Sequence, residues 1–335
     1  MPFVDDILKH RSLSIVGMGK NTGKTVCLNY ILRRLDAMHV GVGVTSIGVD
    51  GEQTDAVLAT AKPEITLFEG MHFITSEVHY LQRRVVSCIE ATDERRTALG
   101  IPVMARVEIG GKVMLSGAAT TESLLRQIAM LQGQGCRMTI VDGALSRLSL
   151  ASPAVTEAMV LATGAAVSSS LPTLVSKTRF LCRLIGLEPV DTGLAARLGS
   201  LGPGIWAVDG DGSPAPLGIS STFLVDDASR ERLQHSRTLF ASGAVSDRLL
   251  KSLSAGKEGT TLVVRDFTRL FVSPEAYGEF TRRGGAVRVL QRPHLVAVVL
   301  NPTSPQGFAF DSGRARAALS EALGRPVYDI MKIEQ

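Results

Sequence analysis

The chain of 335 residues has no apolar run approaching the roughly 18 residues of a membrane span. Its opening, Met1-Pro2-Phe3-Val4-Asp5-Asp6, carries two acids and leads into no apolar core of signal-peptide length, so a cytoplasmic protein is expected. Cysteine is sparse. Cys27, Cys88, Cys136 and Cys182 lie too far apart for the close pairing of a zinc site or a disulfide framework, which predicts reduced, structural thiols. There is no basic block either: the net charge of +4 comes from scattered pairs such as Arg33-Arg34, Arg83-Arg84 and Arg282-Arg283, a pattern of solvated helix faces that argues against nucleic-acid binding. The histidines, His72 and His79 among them, lack metal-ligand spacing, and there is no repeat or low-complexity tract.

What is present is enough apolar residue, 45% against 20% charged, to bury a sizeable core throughout. The length exceeds the usual domain size of about 100–200 residues, which predicts two packed units. The expected division is 1–198 and 199–335, the latter a C-terminal α/β portion or an extension of the first unit's sheet; glycine and proline crowd the junction between Gly199 and Ser221.

Hydrophobic periodicity predicts a strand at Leu13–Val16, a glycine-rich turn, a helix from Thr25 to Met38 and a second strand from Val40 to Ile47. Strands follow within Val103–Leu115, a helix at Thr121–Gln132 and a buried strand at Arg137–Asp142. An apolar helix is expected around Thr156–Thr163 and another helix near Lys177–Ile185. Strand and helix alternate to the end, with a strand at Leu295–Leu300 and a closing helix at Gly313–Leu323. The class predicted is α/β with a mainly parallel sheet flanked by helices, and the glycine-rich turn Gly17-Met18-Gly19-Lys20-Asn21-Thr22-Gly23-Lys24-Thr25 between first strand and first helix marks it as a P-loop NTPase with 1–198 as the nucleotide-binding domain.

The densest signal is Ser14-Ile15-Val16-Gly17-Met18-Gly19-Lys20-Asn21-Thr22-Gly23-Lys24-Thr25, a strand, a glycine-rich loop and a helix start in the order that phosphate binding requires. Glycines let backbone amides converge on phosphate oxygens at a helix N-terminus, where unpaired amides and the helix dipole favour an anion. Gly17, Gly19, Lys20, Asn21, Thr22, Gly23, Lys24 and Thr25 are the candidate binding residues. Lys24 reaches the β- and γ-phosphates, and Thr25 offers Mg²⁺ a hydroxyl ligand. No Asn-Lys-x-Asp guanine motif follows, so ATP is preferred over GTP.

Acids complete the candidate site. Asp142 ends an apolar strand where parallel α/β folds place ligand groups, and reads as a Mg²⁺ partner or as the cap of the next turn. Asp50, Glu52 and Asp55 follow the second strand; Asp50 is the favoured metal- and water-positioning acid, while Glu52 and Asp55 fit a solvated loop equally well. Lys24, Asp50 and Asp142 form the catalytic set, and Thr25, Asp50 and Asp142 the metal set. Lys62 and Arg147 are weaker candidates for touching substrate or phosphate, since lone cations are more often surface groups. Asn301, before Pro302, either presents its amide to a base or partner or serves the turn alone.

Five residues separate Gly17 from Gly23, one more than the common loop, and this spacing resembles dethiobiotin synthetase and its relatives. Lys20 resembles, at a different offset, the extra lysine of dimeric ATPases of the septum-positioning and nitrogenase-iron-protein group, which raises the option of a homodimer. Together with Thr45-Ser46-Ile47-Gly48-Val49-Asp50-Gly51-Glu52, Val141-Asp142-Gly143-Ala144-Leu145-Ser146-Arg147 and Ala162-Thr163-Gly164-Ala165-Ala166, the loop looks like the small ATPase subunit of the lysine 5,6-aminomutase reactivase. That resemblance implies ATP-driven exchange of damaged cofactor on an adenosylcobalamin-dependent lysine or ornithine aminomutase. It also implies a larger, MutS-like ATPase partner resembling mismatch-repair proteins. The competing expectation is a ligase like dethiobiotin synthetase, which uses ATP to activate a small carboxylate or amine. A reactivase needs an apolar docking surface, whereas a metabolite enzyme needs convergent polar groups beside Lys24.

Overall fold

The computed structural model describes residues 3–47, 64–93, 95–97, 99–118, 120–144, 152, 155–219, 231–233, 235–256 and 259–333. The protein is α/β, with sheets that are mostly parallel and flanked by helices.

The chain forms two compact units, Met1–Arg179 with His294–Gln335, and Phe180–Pro293. The break expected after residue 198 falls inside the second unit, because the last strands return to the first sheet. Glycine and proline between 199 and 221 serve turns inside the second unit, such as Gly204 and Gly212, both with positive φ.

In the first unit, α1 (Val4–Ile7), β1 (Ser12–Gly17), α2 (Lys24–Ala37), β2 (Val42–Ser46), β3 (Ile65–Leu67), β4 (His72–Ser76), α3 (Glu77–Leu81), β5 (Arg84–Thr92) and β6 (Pro102–Val113) come first. Next are α4 (Thr121–Gly133), β7 (Met138–Ala144) and β8 (Ala158–Gly164), then α5 (Leu171–Ile185), which runs on into the second unit. The ten-stranded sheet has the order β17-β16-β8-β1-β7-β2-β4-β6-β3, with β5 on the free side of β6; β16 is His294–Asn301 and β17 is Val327–Asp329. From β17 to β4 every pairing is parallel, and β6 runs antiparallel to β3, β4 and β5.

Residues 158–164 are a strand, not the expected helix. All seven are buried, because β8 lies between β1 and β16 with both faces covered; a strand in that position reads as an unbroken apolar run, which periodicity cannot separate from a buried helix. The helix expected near Lys177 starts earlier, at Leu171, since Pro172 fits a first turn whose N–H groups have no helical partner.

Helix α2 buries Cys27, Leu28, Tyr30, Ile31, Leu32 and Leu35 against Leu13 and Ile15 of β1, Val42 and Val44 of β2, and Met138 and Ile140 of β7. The opposite face carries Val141 and Ile47 under Leu124 and Ile128 of α4. Leu28 is fully buried, so Leu28→Ala is expected to cost about 2–5 kcal/mol of stability, read from the denaturant midpoint. Burial raises the Cys27 thiol pKa, and burial followed by the charge of Glu90 pushes Cys136 up to about 11, so both pack as protonated thiols. Among the described residues no disulfide forms, and no helix is long and apolar enough to cross a membrane.

The second unit contains α6 (Thr192–Gly199), β9 (Ile205–Val208), β10 (Pro214–Ile219), β11 (Thr238–Ala241), β12 (Val245–Ser246), α7 (Asp247–Ser254), β13 (Thr261–Val264), β14 (Leu270–Phe271), α8 (Pro274–Arg282) and β15 (Ala286–Val289). Its sheet runs β10-β9-β11-β13-β15, with β11, β13 and β15 parallel and β9 antiparallel to both neighbours. Leu198, Val208, Phe240, Val263 and Leu290 form its core.

Candidate functional site

From β1 the chain passes to β2, beyond β7; from the adjacent β8 it passes eventually to β16 on the other side. Neighbouring strands that send their connections in opposite directions leave a crevice at their C-terminal ends, the usual ligand position in open parallel sheets. The loop 17–25 starts at that point. Met18 N–H still donates to Ala162 O at 2.8 Å, so the loop leaves the sheet tied to β8.

The loop geometry follows from its small residues. Gly23, the N-cap of α2, has φ 89° and Asn21 has φ 58°, conformations that favour Gly and Asn. Thr22 is buried and its hydroxyl donates to Gly19 O at 3.1 Å. A Cβ on Gly17 would run into the Thr22 hydroxyl and lie 2.8 Å from Cγ and Cδ of Lys24, so the half-buried Lys24 folds its stem back over Gly17. At Gly19 the nearest atom to a Cβ is 3.9 Å away. Lys20 is exposed, and Thr25 is half-buried in the first turn of α2.

That first turn has no side-chain cap and no acid. The helices α3, α4, α6, α8 and the last helix, α9 (Ser312–Leu323), each have a Ser, Thr or Asp side chain accepting from a first-turn N–H. Among the described residues the leading amides of α2 have no such acceptor, and a cationic Lys24 stands at the first helical position, where the dipole disfavours it by roughly 0.3–1 kcal/mol. The arrangement suits an anion.

Asp142 sits beside the loop. In β7 it is aligned with Ile15 of β1 and Ser46 of β2, and alternation from Met138 and Ile140 puts its side chain on the face covered by α2. It is partly exposed, with one carboxylate oxygen buried. Asp50, Glu52, Asp55, Lys62 and Arg147 lie outside the described residues. Among the described residues no cluster of three His, Cys, Asp or Glu side chains could hold a metal; His72 instead meets Glu90 at 3.1 Å.

Two features go beyond what the sequence showed. One is a buried hydroxyl cluster at the end of β4: Ser116 Oγ donates to Ser76 Oγ at 2.7 Å, and Thr75 Oγ1 donates to Met114 O at 3.0 Å. Isolated Ser and Thr residues carry no signal of such convergence. The other is Asn301, whose Nδ2 donates to Asn21 O at 2.9 Å; its place at the end of a buried strand was legible, its partner was not. Comparison of the chain with protein-family models, curated proteins and solved structures finds no match.

Proposed function

We propose that the chain is a P-loop protein that binds ATP and Mg²⁺ through residues 17–25. The observation that carries the reading is the start of α2, with leading amides that no side chain caps among the described residues and Lys24 laid over a Gly17 that leaves no room for a Cβ. Loop and first-turn amides hold the phosphate oxygens, and Lys24 binds the β- and γ-phosphates. Thr25 and Asp142 hold Mg²⁺ directly or through its waters, and Asp50 helps to position the attacking water. Mg²⁺ supplies neutralisation of the triphosphate charge.

Within this class the favoured role is the ATPase subunit of a reactivase that exchanges damaged cofactor on an adenosylcobalamin-dependent lysine or ornithine aminomutase, beside a larger MutS-like ATPase. Support comes from the sequence resemblance and from exposed Val78, Leu81, Val86, Ile89 and Ile109, with Val86 paired across from Ile109; apolar residues displayed this way suit docking on a protein. The ATP-bound chain shifts the client between closed and open states by its different affinity for the two. The second reading is a ligase like dethiobiotin synthetase, which would use ATP to activate a small carboxylate or amine.

The test follows ATP hydrolysis by the chain alone, then with the partner ATPase and a cobalamin-inactivated aminomutase. Recovery of mutase activity is expected only with ATP, and none with Lys24→Ala. A mutase that stays inactive, with turnover instead stimulated by a small carboxylate or amine, selects the ligase.

A further inference from the structure

Asn301 belongs to the second strand from β1, yet it reaches the loop. Its side-chain amide donates to Asn21 O at 2.9 Å, and its carboxamide oxygen accepts from Thr303 N–H at 3.1 Å and Thr303 Oγ1 at 2.8 Å. Flipping the amide would set Nδ2 against the Thr303 N–H and Oδ1 against Asn21 O, donor facing donor and acceptor facing acceptor, so the network dictates that Nδ2 faces Asn21. The main chain is held as well: Asn301 O accepts from Ala165 N–H at 2.9 Å, and a Cβ on Gly164 would run into that oxygen. Asn301 Cβ also lies 3.1 Å from where a Cβ on Gly23 would stand.

The loop needs such a brace. Asn21 and Gly23 both have positive φ, and a left-handed non-glycine residue costs about 1 kcal/mol or more unless its surroundings enforce it. A trans peptide points its N–H opposite to its C=O, and there is no cis bond among the described residues. Holding Asn21 O toward β16 therefore aims the Thr22 N–H away from β16.

We propose that Asn301 is a positioning residue for the phosphate loop: it sets the direction of the Asn21–Thr22 peptide and keeps the loop in its anion-binding form. This rests on the nucleotide reading of the same loop. Asn301→Asp keeps both acceptor bonds from Thr303 and replaces the donor to Asn21 O with a second acceptor.

The experiment measures ATP affinity by calorimetry, amide hydrogen exchange over residues 18–23 and the unfolding midpoint of the nucleotide-free protein. Asn301→Asp is expected to weaken ATP binding at least tenfold and to speed exchange in the loop, with a midpoint within about 3 °C of the parent's. Parental affinity and parental exchange overturn the proposal. If Asn301→Asp unfolds the protein, Thr303→Val decides, because it removes one bond that orients the amide; weaker ATP binding supports the proposal and parental binding overturns it. If the unsubstituted chain binds no ATP, the nucleotide reading fails by itself, and exchange in the loop still judges the bracing role.

Discussion

Lys24→Ala is expected to weaken ATP binding by at least about a hundredfold while leaving the nucleotide-free protein as stable as before, or slightly more so. Two charge-assisted bonds to phosphate, at about 1.5–3 kcal/mol each, exceed the roughly 2.7 kcal/mol that a hundredfold represents. In the absence of ligand the balance reverses. The ammonium opposes the α2 dipole, so its removal relieves about 0.3–1 kcal/mol, against which stands the packing of the stem over Gly17. Calorimetry and a thermal melt read the two effects separately. ATP binding at parental affinity would sink the assignment of the loop, and a collapsed midpoint would show that Lys24 serves the fold.

The second large effect separates two glycines of one loop. Gly17→Ala forces a methyl into the Thr22 hydroxyl and the Lys24 stem, so either the Thr22–Gly19 bond or the lysine must move. Overpacking of this kind costs about 1–3 kcal/mol, and the lysine that moves is the one proposed to hold phosphate; ATP affinity should fall at least tenfold. Gly19→Ala meets open space, with 3.9 Å to the nearest atom, and Gly19 is not among the glycines with positive φ. Parental affinity is expected there. Equal effects of the two substitutions would mean that the fold of the lysine over Gly17 plays no part in binding.

Much of this architecture was legible from spacing. The strand–loop–helix over 12–37, the strand carrying Asp142 and the helices at 121–133 and 312–323 follow from periodicity and glycine placement. The exception is instructive: residues 158–164 read as a helix because a strand buried on both faces loses its alternation. The division into units escaped for a different reason. Composition shifts mark turns, as at Gly204 and Gly212, whereas a unit boundary depends on which strands pair; β16 pairs back onto β8 across more than a hundred residues of chain, and β17 adds to the far side of β16.

The sequence by itself determined the local chemistry: glycines where the loop bends, a lysine and a threonine at the start of α2, an acid at the end of a buried strand. Those are properties of consecutive residues, governed by backbone sterics and helix ends. Only the tertiary structure decided that Asp142 lies level with Ile15 beside the loop. It also decided that Lys24 bends over Gly17 and that Asn301, 280 residues beyond Asn21, holds the loop's main chain. The physical reason is that strand order and register are fixed by the collective burial of many apolar side chains, and a polar contact between distant segments exists only after that burial has brought them together.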